Sequence, residues 1–378
     1  MADNRVKALR ENGQAMWLDY IRRDMLESGE EKRLIEEVGL AGQTSNPTIF
    51  DEAISETDLY DPHIREAGVD TEPKDVFEGL AVADIQSACD LFRPLWEATG
   101  GEHGFVSIEV SPHLAYDTEG TVAEVRRLWQ AVDRPNVMVK IPGTREGLPA
   151  IRRSLAEGMN INITLLFSVE RYREVMEMWY EAMEERVERG APVDRQASVA
   201  SFFVSRVDSK VDDRLDTLLE AAEDAETRER IEGLKGQIGI CNAKIAYAAF
   251  EETILDADRY APLKESGVRC QRPLWASTST KNPDFPDTYY VDALVAPHSV
   301  DTVPPKTLDA FLDHGDPSVS IREGLEECRE RMDALASIGI DFDAVTAELE
   351  VEGVEKFGAS YDALLEDIAE KQRQLQLA

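Results

Sequence analysis

The chain has 378 residues, of which 43% are hydrophobic and 31% charged, so it can bury a large core and is neither disordered nor fibrous. It carries 41 Lys and Arg against 75 Asp and Glu, a formal net charge of −34, and such a surface repels nucleic acid and anionic lipid. It has no apolar run of roughly 18 residues and no secretory signal, so we predict a cytoplasmic protein that binds neither nucleic acid nor membrane. The acidic surface fits either a protein kept soluble in high salt or an ordinary acidic cytosolic protein.

Cysteine and histidine are too scarce and too scattered to build a disulfide framework or a zinc centre. There are only five histidines, without an HExxH motif, and four cysteines far apart in the chain: Cys89, Cys241, Cys270 and Cys328. This spacing is typical of buried thiols in a reducing compartment.

Short apolar runs alternate with long helical patterns along the chain. Strands are predicted at residues 15–20, 41–44, 105–110, 136–141, 160–167, 197–204, 272–277 and 289–295. Helices are predicted at 24–38, 120–132, 147–157, 169–189, 305–313, 318–337, 341–351 and 353–376, with mostly helical stretches at 51–100 and 208–262. This alternation indicates an α/β fold with a parallel sheet, and eight strands indicate a closed (β/α)8 barrel.

An open, doubly wound sheet is the alternative, but the chain has neither GxGxxG nor GxxxxGK[ST]. We therefore expect one barrel domain over residues 1–378. Its helical elaborations are predicted at about 51–100, 208–262 and 318–378.

Polar residues that interrupt an apolar strand near its C-terminal end are candidates for chemistry, because barrel enzymes react at that end. The candidates are Asp19 in strand one, Glu109 in strand three, Lys140 in strand four, Asn160, Asn162 and Thr164 in strand five, Ser201 in strand six and Arg206 just beyond it.

Lys140 is the most informative of these candidates. It follows Val-Met-Val, and Pro142 ends the strand, although lysine is almost never buried without a partner. Removal from water favours the neutral amine, which forms Schiff bases with ketones and aldehydes. A lysine that extends to solvent is the alternative. Asp19 and Glu109 at neighbouring strand ends favour chemistry, because Schiff-base cleavage needs a proton acceptor and a group that handles water.

The remaining candidates have equally plain structural explanations. The inward Asn and Thr residues of strand five either bind sugar hydroxyls or satisfy one another. The hydroxyl-rich run ASTSTKN at 276–282 either forms a phosphate site with Arg206 or is simply a polar turn.

The chain resembles the transaldolases of the longer bacterial type. The resemblance covers most of the chain in the family's order and rests on five motifs: GQTSNPTIF at 42–50, VSIEV at 106–110, VMVKIP at 137–142, NINITLLFS at 160–168 and ASTSTKN at 276–282. It implies a class I aldolase barrel that transfers a dihydroxyacetone unit from sedoheptulose 7-phosphate or fructose 6-phosphate. The acceptor would be glyceraldehyde 3-phosphate or erythrose 4-phosphate, in the non-oxidative pentose phosphate pathway.

The resemblance also implies a role for each matching residue. Lys140 would form the Schiff base, Asp19 would move the proton of the C4 hydroxyl, and Glu109 with Thr164 would hold the catalytic water. Thr44, Asn46, Asn162, Ser201 and Phe203 would surround the sugar, and Arg206, Ser279 and Lys281 would bind phosphate. Lys281 stands where the family has an arginine, so it offers charge without a bidentate fork.

The implied partners are sugar phosphates, with a monomer or homodimer as the assembly. No cofactor or metal is implied, because the iminium itself is the electron sink. A fructose 6-phosphate aldolase-like enzyme, which releases free dihydroxyacetone, is the nearest alternative; such enzymes tend to use a tyrosine where this chain has Glu109. A non-catalytic barrel is the remote alternative.

Overall fold

Eight parallel strands pair in chain order and close into a barrel through β1 and β8. The computed structural model describes residues 4–377. The strands are β1 Gln14–Asp19, β2 Gly42–Thr44, β3 Phe105–Glu109, β4 Val137–Pro142, β5 Ile161–Leu166, β6 Ser198–Phe203, β7 Arg272–Ala276 and β8 Ser299–Val303. This architecture confirms the predicted (β/α)8 barrel.

Helices surround the barrel on its outer face and at both ends. They are α1 Arg5–Glu11, α2 Arg23–Ser28, α3 Glu30–Arg33, α4 Pro47–Ser55, α5 Asp61–Ala67, α6 Pro73–Ala98, α7 Thr118–Val132, α8 Gly147–Ala156, α9 Val169–Glu188, α10 Ser205–Ala221, α11 Ala225–Glu232, α12 Ile238–Phe250, α13 Tyr260–Glu265, α14 Tyr289–Ala293, α15 Pro305–His314, α16 Leu325–Ser337 and α17 Phe342–Leu377. Within residues 4–377, no helix is both long and apolar enough to cross a membrane.

The predicted eighth strand at 289–295 is wrong. That run forms α14, whose Tyr290 and Val291 are buried, and the eighth strand lies further on at Ser299–Val303. The observed strand carries Ser299, Asp301 and Thr302, all buried and hydrogen-bonded. Because these residues are polar, the sequence does not suggest a buried strand here.

Two predicted helix boundaries are also wrong. Gly29, at φ 87°, divides the predicted helix at 24–38 into α2 and α3, which a π-helical turn at Leu34–Val38 follows. Gly353 does not divide 341–376 into two helices, because it lies within the continuous helix α17. A Cβ on Gly353 would lie 2.9 Å from the Leu165 side chain, so this glycine permits the close approach of α17 to β5.

Large apolar side chains fill the barrel interior on the N-terminal side of the polar residues that end the strands. Trp17, Phe105, Met138, Leu274 and Val300 are buried there in one cluster. Side chains in a strand alternate between the two faces, so the residues two positions further along, such as Asp19 and Lys140, also point inward. The apolar layer therefore forms a floor beneath the polar residues at the C-terminal end.

Helix α17 lies against the same end of the barrel and packs on α4, α6, α10 and β5. A hydrogen bond of 2.9 Å joins Thr48 Oγ1 on α4 to Ser360 Oγ on α17, and Lys371 pairs with Asp61 on α5. These contacts hold α17 beside the opening of the barrel.

Candidate active site

A cavity of about 1140 Å³ opens at the C-terminal ends of the strands. Its lining includes most of the residues singled out in the sequence: Asp19, Thr44, Asn46, Lys140, Thr164, Ser201, Phe203, Arg206, Ser279 and Lys281. The structure therefore brings together residues that lie far apart in the chain.

Lys140 and Glu109 form a buried ion pair at the base of this cavity. They are register partners on the neighbouring strands β4 and β3, and Lys140 Nζ donates to Glu109 Oε2 at 3.1 Å. Nζ also donates to the backbone oxygen of Ser45 at 3.3 Å. The two side chains are only 6% and 4% exposed, so each is the partner that makes burial of the other tolerable. Burial raises the pKa of Glu109, and Lys140 opposes that rise.

Asp19, at the end of β1, belongs to a second hydrogen-bonded group. Thr44 Oγ1 donates to Asp19 Oδ1 at 2.7 Å and lies 2.7 Å from Thr302 Oγ1. Since Thr44 has one hydroxyl proton, this arrangement makes Thr302 the donor to Thr44. Burial raises the pKa of Asp19, while Lys140, Thr44 and Arg206 oppose the rise. A carboxylate with a raised pKa accepts a proton more readily than an exposed one.

The polar residues of the predicted fifth strand, 160–167, lie in three different environments. Asn162 is satisfied by its neighbours, since it accepts from Ser201 Oγ at 2.7 Å and donates to Ser107 Oγ at 3.1 Å. Thr164 Oγ1 is buried and has no hydrogen-bond partner among the described residues. Asn160 precedes β5 and donates to the backbone oxygens of Pro135 and Val137, so it braces the opposite end of the barrel instead of the mouth.

An unpartnered carboxylate oxygen lies near the ion pair as well. Glu109 Oε1 is buried without a partner in the described part of the chain. Glu109 also lines a smaller cavity of about 30 Å³, together with Ser111 and Tyr361, which is room for one water molecule. Buried polar atoms are normally satisfied, so both Glu109 Oε1 and Thr164 Oγ1 are suited to bind water.

Asn46 and Arg206 stand on opposite sides of the cavity. Asn46 caps α4, where its Oδ1 accepts from the Ile49 backbone at 3.1 Å, and within residues 4–377 its side-chain NH2 group makes no hydrogen bond. The Arg206 guanidinium lies 5.1 Å from the Phe203 ring and 5.6 Å from the Phe357 ring. Burial lowers the pKa of Arg206, and Asp19 and Glu109 oppose that fall.

The loop after β7 presents Ser279 and Lys281 to the cavity. Ser277, at φ 57°, begins the loop, and Thr278 Oγ1 donates to Asp301 Oδ1 at 2.7 Å. Burial lowers the pKa of Lys281, and Lys356 and Arg206 lower it further. This loop is thus anchored to β8 beside a group of cations.

The cavity lining also contains residues that the sequence does not mark as candidates, among them Thr302, Lys356 and Phe357. Thr302 lies in β8, whereas the sequence pattern predicts the eighth strand at 289–295. Lys356 and Phe357 lie on α17, where nothing in a long charged helix marks them. The Phe357 ring is 5.6 Å from Lys140 Nζ and 5.6 Å from the Arg206 guanidinium, so it stands between the two cations.

The closed barrel and the polar cavity at its C-terminal end define a (β/α)8-barrel enzyme.

Comparison with known proteins identifies the family. Residues 16–368 match the model of the family described as transaldolase/fructose-6-phosphate aldolase. The chain is 47% identical over 364 residues to a transaldolase of Mycobacterium tuberculosis, with 95% of each chain covered. It is 46% identical to one from Thermobifida fusca, covering 97% of this chain and 98% of that protein. It is 43% identical to one from Trichodesmium erythraeum, covering 99% of each. The chain belongs to the transaldolase/fructose-6-phosphate aldolase family, as the sequence motifs indicated.

Proposed function

We propose that this protein is a cytoplasmic transaldolase that works through a Schiff base on Lys140. It would transfer dihydroxyacetone from sedoheptulose 7-phosphate or fructose 6-phosphate to glyceraldehyde 3-phosphate or erythrose 4-phosphate, in the non-oxidative pentose phosphate pathway. We also propose that residues 1–378 form one barrel domain. The observation that carries the activity is the buried Lys140 amine, bonded to Glu109 and open to the cavity.

In the proposed reaction, Lys140 Nζ first gives its proton to Glu109 and attacks the C2 carbonyl of the ketose. The resulting carbinolamine loses water to form the iminium. The unpartnered oxygens of Glu109 and Thr164 support a role in holding that water and supplying its protons.

Cleavage of the bond between C3 and C4 leaves its electron pair in the enamine on Lys140 and releases an aldose phosphate. The proton of the C4 hydroxyl passes to Asp19, whose burial favours the protonated form. Addition of the enamine to a second aldose reverses these steps, and hydrolysis of the new iminium frees Lys140.

The other cavity residues support recognition of a phosphorylated sugar. Thr44, Asn46, Ser201 and Phe203 line the cavity and Asn162 accepts a hydrogen bond from Ser201, and these five side chains would surround the hydroxylated carbons. Arg206, Ser279 and Lys281 would bind the phosphate with two cations and a hydroxyl.

The test is borohydride reduction of the protein with fructose 6-phosphate, followed by peptide mass mapping. We expect a reduced dihydroxyacetone adduct on Lys140 that disappears when erythrose 4-phosphate is added before borohydride. Lys140→Met should give no adduct, whereas Lys306→Met, which changes an exposed lysine of the same cavity, should retain it. Free dihydroxyacetone without an acceptor would favour the aldolase alternative. No adduct on any lysine would refute the Schiff base.

A further inference from the structure

We propose that Lys356, on helix α17, is a third phosphate-binding cation beside Arg206 and Lys281. The inference rests on the proposed function for the ligand, a sugar phosphate. It assigns a substrate-binding role to the helix that lies against the mouth of the barrel.

The three cations come from separate elements and line one cavity. Arg206 is in the first turn of α10, Lys281 follows β7, and Lys356 lies within α17. The neighbouring Phe357 is buried, and its ring packs 5.6 Å from the Arg206 guanidinium. This contact places the turn of α17 that carries Lys356 next to Arg206. Burial lowers the pKa of Lys281, and the nearby charges of Lys356 and Arg206 lower it further.

The charges at this point lack the counter-ions that other cations near α17 have. Lys210 pairs with Glu348 and Glu352 on α17, and Arg214 pairs with Glu348. Across residues 4–376, no ion pair joins Arg206, Lys281 or Lys356 to a carboxylate. Acidic side chains are abundant in a chain of net charge −34, so three converging cations without one indicate a site for an external anion.

A phosphate ester dianion suits this arrangement. Three like charges repel one another, and a dianion between them relieves that repulsion while accepting charge-assisted hydrogen bonds. Lys281 lacks the bidentate fork of an arginine, and a second lysine from α17 supplies a further donor.

Helix α17 is held firmly enough to present a ligand. Gly353 packs directly against Leu165 on β5, and Ser360 bonds to Thr48 on α4. These contacts lie within one or two turns on either side of Lys356. The lysine therefore extends from a supported backbone, which limits the loss of freedom when it binds.

The test is calorimetric titration of the full chain with inorganic phosphate at pH 8, where phosphate is a dianion. Loss of one charge-assisted contact should weaken binding by about tenfold in Lys356→Met, and Lys356→Arg should retain most of the affinity. Lys264→Met is the matched control, since Lys264 is exposed on α13 near the opposite end of the barrel and the charge change is the same. Steady-state kinetics provide a second measurement. Lys356→Met should raise KM for glyceraldehyde 3-phosphate and leave KM for unphosphorylated glyceraldehyde unchanged.

Equal phosphate affinity in Lys356→Met and the native protein would overturn the inference. So would an equal loss in Lys264→Met, because that result would reflect the overall field of the protein. The titration involves no turnover, so it remains decisive even if borohydride trapping on Lys140 fails. Conversely, normal trapping with unchanged phosphate binding in Lys356→Met would remove Lys356 alone and leave the proposed function standing.

Discussion

Replacement of Lys140 by methionine should destabilise the protein in a strongly pH-dependent way, quite apart from its effect on catalysis. The Lys140–Glu109 pair is 3.1 Å long, and its side chains are 6% and 4% exposed. Removal of one partner from a buried pair leaves an uncompensated charge and costs about 3–5 kcal/mol. The free energy of unfolding of Lys140→Met should therefore fall by that amount at pH 8. At that pH the buried Glu109 must either stay ionised without a partner or take up a proton, although carboxyl groups in solution are ionised.

The sign of the pH dependence follows from Glu109. Burial already raises the pKa of Glu109, and the opposing effect of Lys140 disappears in the variant, so the folded-state pKa rises further above that of the unfolded chain. Stability is then retained below the unfolded pKa of 4.5 and falls as pH rises toward the folded pKa, by about 1.4 kcal/mol per unit. The variant should be near native stability at pH 5 and well below it at pH 8.

Urea unfolding of native protein, Lys140→Met and Lys140→Met/Glu109→Gln at pH 5 to 8 measures this effect. The double variant removes the uncompensated charge, so it should recover most of the stability lost at pH 8. If the single variant and the native protein show parallel pH profiles, or if Glu109→Gln recovers nothing, then the ion pair is not what makes burial of Glu109 tolerable.

Three further perturbations test other parts of the molecule. Asp19→Ala should lower kcat by at least about 100-fold with a smaller change in KM, because a group that moves a proton acts in the transition state; a change confined to KM would reduce Asp19 to substrate positioning. Burial raises the pKa of Asp301 from 3.8 to about 7, so the free energy of unfolding of the native protein declines as pH rises between these two values. Asp301→Asn should flatten this decline, because the variant has no carboxyl group to release the proton. An unaltered slope in urea titrations would contradict this. The melting temperature should rise in molar KCl, because salt screens the repulsion within a chain of net charge −34. A melting temperature that stays flat or falls would favour an ordinary acidic protein over one adapted to high salt.

The barrel and most of its mouth could be predicted because their patterns are local. Lys140 interrupts an otherwise apolar strand, and Asp19 on β1 and Glu109 on β3 do the same, so each is visible within five or six residues. Parallel pairing in chain order then brings these strand ends together without further information.

The eighth strand could not be read in the same way. Its residues Ser299, Asp301 and Thr302 are buried because partners on β1, β2 and the β7 loop satisfy them, and those partners are distant in sequence. The run at 289–295 instead looks like a strand and becomes a helix. Phe357 illustrates the same limit, because its position over Lys140 and Arg206 depends on where α17 docks.

The closure of the barrel through β1 and β8 has a consequence for how the molecule is made. Gln14 Nε2 on β1 donates to Ser299 Oγ on β8 at 2.8 Å, across 285 residues of chain. Until β8 emerges from the ribosome, one edge of β1 has no native partner, and an unpaired apolar edge readily associates with other chains. Ring closure between such distant segments carries a large loop entropy and is intrinsically slow. We therefore expect the β1–β8 pairing to form late in folding, and the period before it forms to be the one in which the new chain is most prone to aggregate.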